Sequence, residues 1–121
     1  MTLRRLLLVV IGGMLGTAAR LGIGLLVPDV GGFPVATLIA NAVGALLIGI
    51  LAVRLPGSSD RRVFLGTGIL GGFTTYSAFA VCTVELWSQA PLLAAAYAAL
   101  TIVLGVAAAV AGMRVGRRRQ A

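Results

Sequence analysis

The chain has no histidine and no lysine, one cysteine (Cys82) and only three acidic residues among 121. Without histidine a Cys/His metal centre has no ligand set, and a lone thiol excludes an internal disulfide. No acid pair is in evidence, and no nucleophile has a base in reach, so an enzyme is the least favoured class. The formal charge of +7 comes entirely from ten arginines. In a soluble protein that balance would suggest nucleic acid. Here 60% of the residues are hydrophobic and the mean hydropathy is +1.08, more apolar side chain than a soluble domain of this length can bury. Lipid is therefore the solvent. The arginines are expected to set orientation and contact anionic headgroups, and nucleic acid is not an expected partner.

The length allows about four spans of roughly 20 residues in a single transmembrane domain, 1–121. The first runs from Leu6 to about Val27 and reads as a retained helix, not a cleaved signal, because apolar sequence continues past Arg20. Gly12, Gly16 and Arg20 recur on one face, the two glycines fitting a close helix–helix contact. Arg20, near the far interface, has two readings: a guanidinium snorkelling to headgroups, or a buried cation that attracts an anion or braces an aqueous vestibule. After the turn at Pro28–Gly32 the second span covers 34–55, with Pro34 in its first turn and Gly44, Ala45 and Gly49 suited to close packing. Its Asn41 must find a partner, either an interhelical hydrogen bond or an anion on a pathway. The third span covers 63–87 and the fourth 92–113. Arg114, Arg117, Arg118 and Arg119 are expected to form a disordered basic tail.

The third span carries the stretch that organises the chain, Gly71-Gly72-Phe73-Thr74-Thr75-Tyr76-Ser77-Ala78-Phe79. Two adjacent glycines and two β-branched residues predict a helix break over 71–75, at mid-membrane. Backbone groups freed inside a bilayer need protein, water or an ion. The break is thus either a hinge satisfied by neighbouring helices or an ion site, with carbonyls for a hard cation and hydroxyls for a small anion. Tyr76, Phe79 and Thr83 share a face, as do Tyr97, Thr101 and Gly105 in the fourth span. Packing accounts for such aromatics by default, and a hydroxyl bonded back to its own carbonyl accounts for Thr101.

Four spans put both termini and the loop between spans two and three on one side. That side holds Arg4, Arg5, Arg54, Arg61, Arg62, Arg114, Arg117, Arg118 and Arg119, and the other has Asp29 and Glu85, with Arg20 near it. The positive-inside rule makes both termini cytoplasmic. A four-span proton-coupled exporter of the small multidrug type would need a carboxylate in a span interior, and there is none. A lysis protein with a basic tail fits the composition but leaves Asn41 and Thr74-Thr75 unexplained.

The nine-residue stretch resembles the Gly-Gly-x-Thr-Thr-Phe-Ser-Thr-Phe signature of the Fluc (CrcB) fluoride channels. Gly12-x-x-x-Gly16-x-x-x-Arg20 and Pro34-x-x-Thr37-x-x-x-Asn41-x-x-Gly44 are similar to the same family, so the resemblance covers the whole chain. It implies an all-α membrane protein of the plasma membrane of a prokaryote, with four transmembrane helices and the third broken. It further implies an antiparallel, dual-topology-type dimer that passively exports fluoride and so reduces its toxicity. By resemblance, carbonyls of Gly71 and Thr74 hold a structural, non-transported Na+ at the dimer centre. Asn41, Thr75, Tyr76, Ser77, Phe79, Tyr97 and Thr101 fall on the fluoride pathway, and Arg20 has a structural and electrostatic role. The partner is a second copy or, because nine arginines bias one orientation, an oppositely oriented paralogous subunit. Tyr76 stands where the family has phenylalanine, Ala78 where it has threonine, and Cys82 where many relatives carry glutamate.

Overall fold

The computed structural model describes residues 2–118, and these form helices joined by short turns. Helix α1 spans Leu3–Leu26. The Thr2 hydroxyl caps it by accepting the Arg5 N–H at 3.2 Å, and it ends at Val27, extended because Pro28 follows. Val30 and Phe33 then exchange two backbone hydrogen bonds across Gly31 and Gly32, both at positive φ (59° and 83°). Two left-handed residues make a primed turn, which glycine adopts without a steric penalty. Helix α2 spans Val35–Arg54, with Pro34 as its cap and not yet helical.

The third span, Asp60–Gln89, is composite. A short α3 (Asp60–Arg62), capped by the Ser59 hydroxyl, leads into a π-helical stretch, Val63–Leu70; α4 (Gly71–Phe73) and α5 (Tyr76–Gln89) follow. The glycines are not where the helix breaks. Gly71 and Gly72 are helical, and the interruption is confined to Thr74 (φ −83°, ψ 157°) and Thr75 (φ −150°, ψ 119°). The fourth span is α6, Pro91–Arg118, which corrects the expectation of a disordered tail. Arg114, Arg117 and Arg118 continue the helix, since arginine is a good helix former and a cation suits a helix C-terminus. Arg119 lies outside the described residues. All four spans are long and apolar enough to cross a membrane.

Two glycine-lined seams hold the bundle together. In the first, α1 lies against the π-helical stretch and α4. A Cβ on Gly12 would come within 2.8 Å of the Phe64 carbonyl oxygen, one on Gly16 would overlap the Ile69 carbonyl, and one on Gly72 would overlap the Gly13 carbonyl. In the second, α2 packs on α6, with Gly49 against the Ala109 carbonyl, Gly112 against the Leu46 carbonyl and Gly116 against Val53. Close backbone approach of this kind gives dispersion contact where lipid removes the hydrophobic drive between helices. The interior is small: Ala40, Leu70 and Phe73 form one cluster and Leu86, Ala94 and Tyr97 another. Many large apolar side chains, Leu25 and Leu92 among them, face outward, as a lipid-embedded chain requires. At the arginine-rich end, Asp60 pairs with Arg4 at 2.8 Å and Arg5 at 3.4 Å, and Arg5 also donates to the Ser58 carbonyl. This clasp ties the start of α1 to the start of the third span.

Candidate functional site at the helix break

Thr74 and Thr75 are held by side chains from two other spans. On α2, Asn41 and Gly44 are one turn apart and form a receiving notch. A Cβ at Gly44 would overlap the Thr74 methyl group, so the missing side chain makes room for that residue. Asn41 reads the Thr75 backbone as a strand neighbour would. Its Nδ2 donates to the Thr75 carbonyl at 3.0 Å and its Oδ1 accepts the Thr75 N–H at 2.8 Å. From the other side, α1 presents Thr17 and Arg20 to a single atom, the Gly72 carbonyl oxygen, at 3.4 and 3.2 Å. Arg20 is therefore turned inward onto the break, its guanidinium on a backbone carbonyl of the third span.

The break also caps its own second half. The Thr75 hydroxyl accepts the Ala78 N–H at 3.0 Å and lies 3.2 Å from the Ser77 hydroxyl, an N-cap at the start of α5. The Thr74 hydroxyl and N–H both bond back to the Leu70 carbonyl at 2.9 Å. In a continuous helix the Gly71 carbonyl would accept from Thr75 and the Thr74 carbonyl from Ala78. Both N–H groups are directed elsewhere, to Asn41 and to the Thr75 hydroxyl.

Beside the break opens a groove of about 460 Å³, lined by Asn41, Thr74, Thr75, Tyr76, Phe79, Thr101 and Ile102. A row of rings leads from it into the bundle. Tyr76 and Phe79 have centroids 6.0 Å apart, Phe79 and Tyr97 5.6 Å, and Tyr97 meets Phe33 edge-on at 5.3 Å. Tyr76 stands at the outer end, 82% exposed, and Tyr97, third in the row, is fully buried. The Tyr97 hydroxyl and Thr101 Oγ1, one turn apart on α6, are both buried with no hydrogen-bond partner beyond each other. The back-bond expected for Thr101 is thus not made, whereas Thr83 does make one, to Phe79 at 2.7 Å. Buried hydroxyls left unpaired cost free energy, and such groups in a native structure call for an occupant or an exchange partner.

The structure gathers Asn41, Thr74, Thr75, Tyr76, Phe79 and Thr101 around one groove, with Ser77 touching Thr75 and Tyr97 reached through Phe79. Gly71 sits one turn before the break. Two further openings flank this centre. One, of about 360 Å³, is lined by Arg20, Gly24 and Thr37 among others. The other, of about 200 Å³, joins Asp29, Cys82, Glu85 and Gln89. Thr17 and Phe33 belong to the site and were not anticipated. Thr17 lies one turn after Gly13, so extending the small-residue stripe of α1 would have found it. Phe33 comes from a turn and carries no periodic signal.

A family model described as CrcB-like protein, Camphor Resistance (CrcB), matches residues 7–113. The chain belongs to the CrcB family. Among the relatives, the fluoride-specific ion channel FluC of Paracoccus denitrificans (strain Pd 1222) is 45% identical over 113 residues, 90% of this chain and 91% of the relative. FluC 2 of Leifsonia xyli subsp. xyli is 46% identical, covering 93% and 83% of the two chains. FluC 2 of Bacillus subtilis (strain 168) is 44% identical, covering 91% and 86%. The CrcB family is one of ion channels, not of enzymes. With four membrane-spanning helices, this member is a multi-pass membrane protein.

Proposed function

We propose that this chain forms a fluoride-selective channel that lets fluoride leave a bacterial cell passively across its plasma membrane. The observation that carries the reading is the buried pair of hydroxyls on Tyr97 and Thr101, with no partner beyond each other, along a ring row that opens on the groove beside the break. Fluoride is small and strongly hydrated, and it enters a dry passage only if donors replace its water. Thr75, Ser77, Thr101 and the tyrosines offer hydroxyls, and Asn41 keeps one amide N–H beyond the one given to Thr75. Phe79 and Tyr76 offer positive ring edges. The names of the relatives supply the ion. Purified chain, reconstituted with an oppositely oriented paralogous subunit or alone if it pairs with itself, should release fluoride from loaded liposomes on dissipation of the membrane potential and retain chloride. Equal release of both ions, or release of neither from the chain alone and from the paired subunits, overturns the reading.

The finer picture is an antiparallel dimer with a structural sodium ion at its centre. Thr74-Thr75 falls halfway along Asp60–Gln89, with the 14 residues of α5 after it and as many before it, which supports a mid-membrane break. The open groove and the outward Tyr76 ring suit closure by a second subunit. Gly71 and Thr74 each offer a carbonyl relieved of its helical N–H, the hard oxygen donor that sodium prefers. They would hold the ion together with the same atoms of a partner, and the ion would supply the positive charge that satisfies them.

Arginine distribution supports an oppositely oriented paralogous partner over a second copy. Arg4, Arg5, Arg54, Arg61, Arg62, Arg114, Arg117 and Arg118 fall at one end, where Asp60 offsets only part of their charge. Each basic residue beside the membrane favours the cytoplasmic face by about 1 kcal/mol. A topology reporter fused to the C-terminus should therefore read cytoplasmic in cells expressing this chain alone. Comparable signals from both faces would overturn the fixed orientation and favour the homodimer.

A further inference from the structure

We infer that the Asn41 amide and the Thr75 hydroxyl are positioning groups for cation binding: each takes an N–H that would otherwise occupy a carbonyl of the sodium site. The inference rests on the sodium reading above and deepens it. A break alone does not free a carbonyl, because a frayed helix can recover its lost hydrogen bonds by small rotations. The N–H that would return to Gly71 belongs to Thr75, and Asn41 Oδ1 holds it at 2.8 Å. The N–H that would return to Thr74 belongs to Ala78, and the Thr75 Oγ1 holds it at 3.0 Å. The two diversions fall on the two carbonyls assigned to the ion and come from different spans. The intervening Gly72 carbonyl is treated the opposite way, being filled by Thr17 and Arg20. The pattern is selective: side chains supply donors to the Gly72 and Thr75 carbonyls, while the N–H groups due to Gly71 and Thr74 are withdrawn.

Asn41 and Thr75 thereby gain a second role beside the anion groove. Asn41 uses one N–H and its oxygen on the Thr75 backbone, leaving the other N–H for the groove. Occupancy by the cation and the posture of the anion donor are fixed through one amide.

The test is the sodium dependence of thermal unfolding of the full chain in detergent, with N-methylglucamine chloride holding ionic strength constant. A ligand bound only by the folded form stabilises it by RT ln(1 + c/Kd) at free concentration c, so the melting temperature starts to climb as the ligand passes its Kd and then rises with the logarithm of concentration. Wild type should show such a rise with sodium, and the concentration at which it sets in is the midpoint. Thr75→Val keeps the shape and removes the hydroxyl, and Asn41→Ala removes the amide. In either, sodium must displace a restored helical hydrogen bond, so the midpoint concentration should rise about tenfold or more. Thr75→Ser restores the acceptor and should bring the midpoint back to within about threefold of wild type. If Thr75→Val does not fold, Thr75→Ala serves in its place. A sodium response in wild type with unchanged midpoints in the Thr75 and Asn41 variants overturns the positioning role and leaves the sodium site standing. Wild type indifferent to sodium both alone and paired with an oppositely oriented subunit overturns both.

Discussion

Gly16→Val should yield no stably folded protein, while Gly13→Ala, three residues away on the same helix, should fold and conduct. A Cβ at Gly16 would overlap the Ile69 carbonyl oxygen and come within 2.8 Å of the Ile69 carbonyl carbon and the Phe73 nitrogen. All three atoms are backbone, so no rotamer change relieves the clash, and α1 would have to move away from the third span as a body. Overpacking a tight interior costs about 1–3 kcal/mol, and more where backbone must shift. The displacement would also pull Thr17 and Arg20 off the Gly72 carbonyl, leaving a buried acceptor unpaired. At Gly13 the nearest atom to an added Cβ is the Gly68 carbonyl oxygen at 3.9 Å, an ordinary contact. Gel filtration and thermal melts of the two variants would measure the contrast. A Gly16→Val protein as stable as wild type would mean that the first seam does not hold the bundle.

Phe79→Ile is expected to end fluoride conduction while leaving the fold in place. Phe79 is the one ring in contact with both Tyr76 and Tyr97. Isoleucine keeps comparable apolar bulk, so the packing loss is the aromatic component, about 0.5–1.5 kcal/mol per ring pair. The functional loss is larger, because an aliphatic side chain presents no positive edge to an anion between Tyr76 and Tyr97. Each 1.4 kcal/mol added to the passage barrier slows flux about tenfold, and efflux should fall to the liposome leak. Wild-type efflux from a folded Phe79→Ile protein would return the ring row to packing alone. Phe79→Tyr, which keeps the edge, should retain measurable flux in the same assay.

The four spans were legible because long apolar runs between arginine-bearing turns leave the chain no other arrangement. The break was legible as to region and misread as to cause. Glycine's helix penalty pointed at Gly71 and Gly72, yet Gly72 is needed for contact with Gly13 and stays helical. What stops the helix is Asn41, 34 residues earlier, gripping both polar groups of the Thr75 backbone. That is a tertiary effect, and no local propensity carries it. The π-helical stretch, which packs closely on α1 at Gly12 and Gly68, was not legible from local propensity either. Gly112 and Gly116 went unnoticed because the arginines around Gly116 read as a tail, although that segment is the part of α6 that seats on α2. Asn41, Thr74, Thr75 and Arg20 were legible as polar residues in apolar spans, where each must find a partner. Which partner each one finds was not.

The tight Val30–Phe33 turn has a consequence for synthesis. It delivers α1 and α2 to the membrane as a connected pair, yet those two helices scarcely touch each other. The lasting neighbour of α1 is the third span and that of α2 is α6. Gly112, which seats on α2, leaves the ribosome about 60 residues after Gly49, a delay of roughly 3–12 s at ordinary translation rates. Throughout that interval the Gly49 face of α2 is turned to lipid or to the translocation machinery, and for its first part Asn41 also waits for Thr75, 34 residues later. The nascent chain therefore passes through a loosely paired stage in which a polar amide waits for its backbone partner, and it is then that another subunit has the best opportunity to intervene.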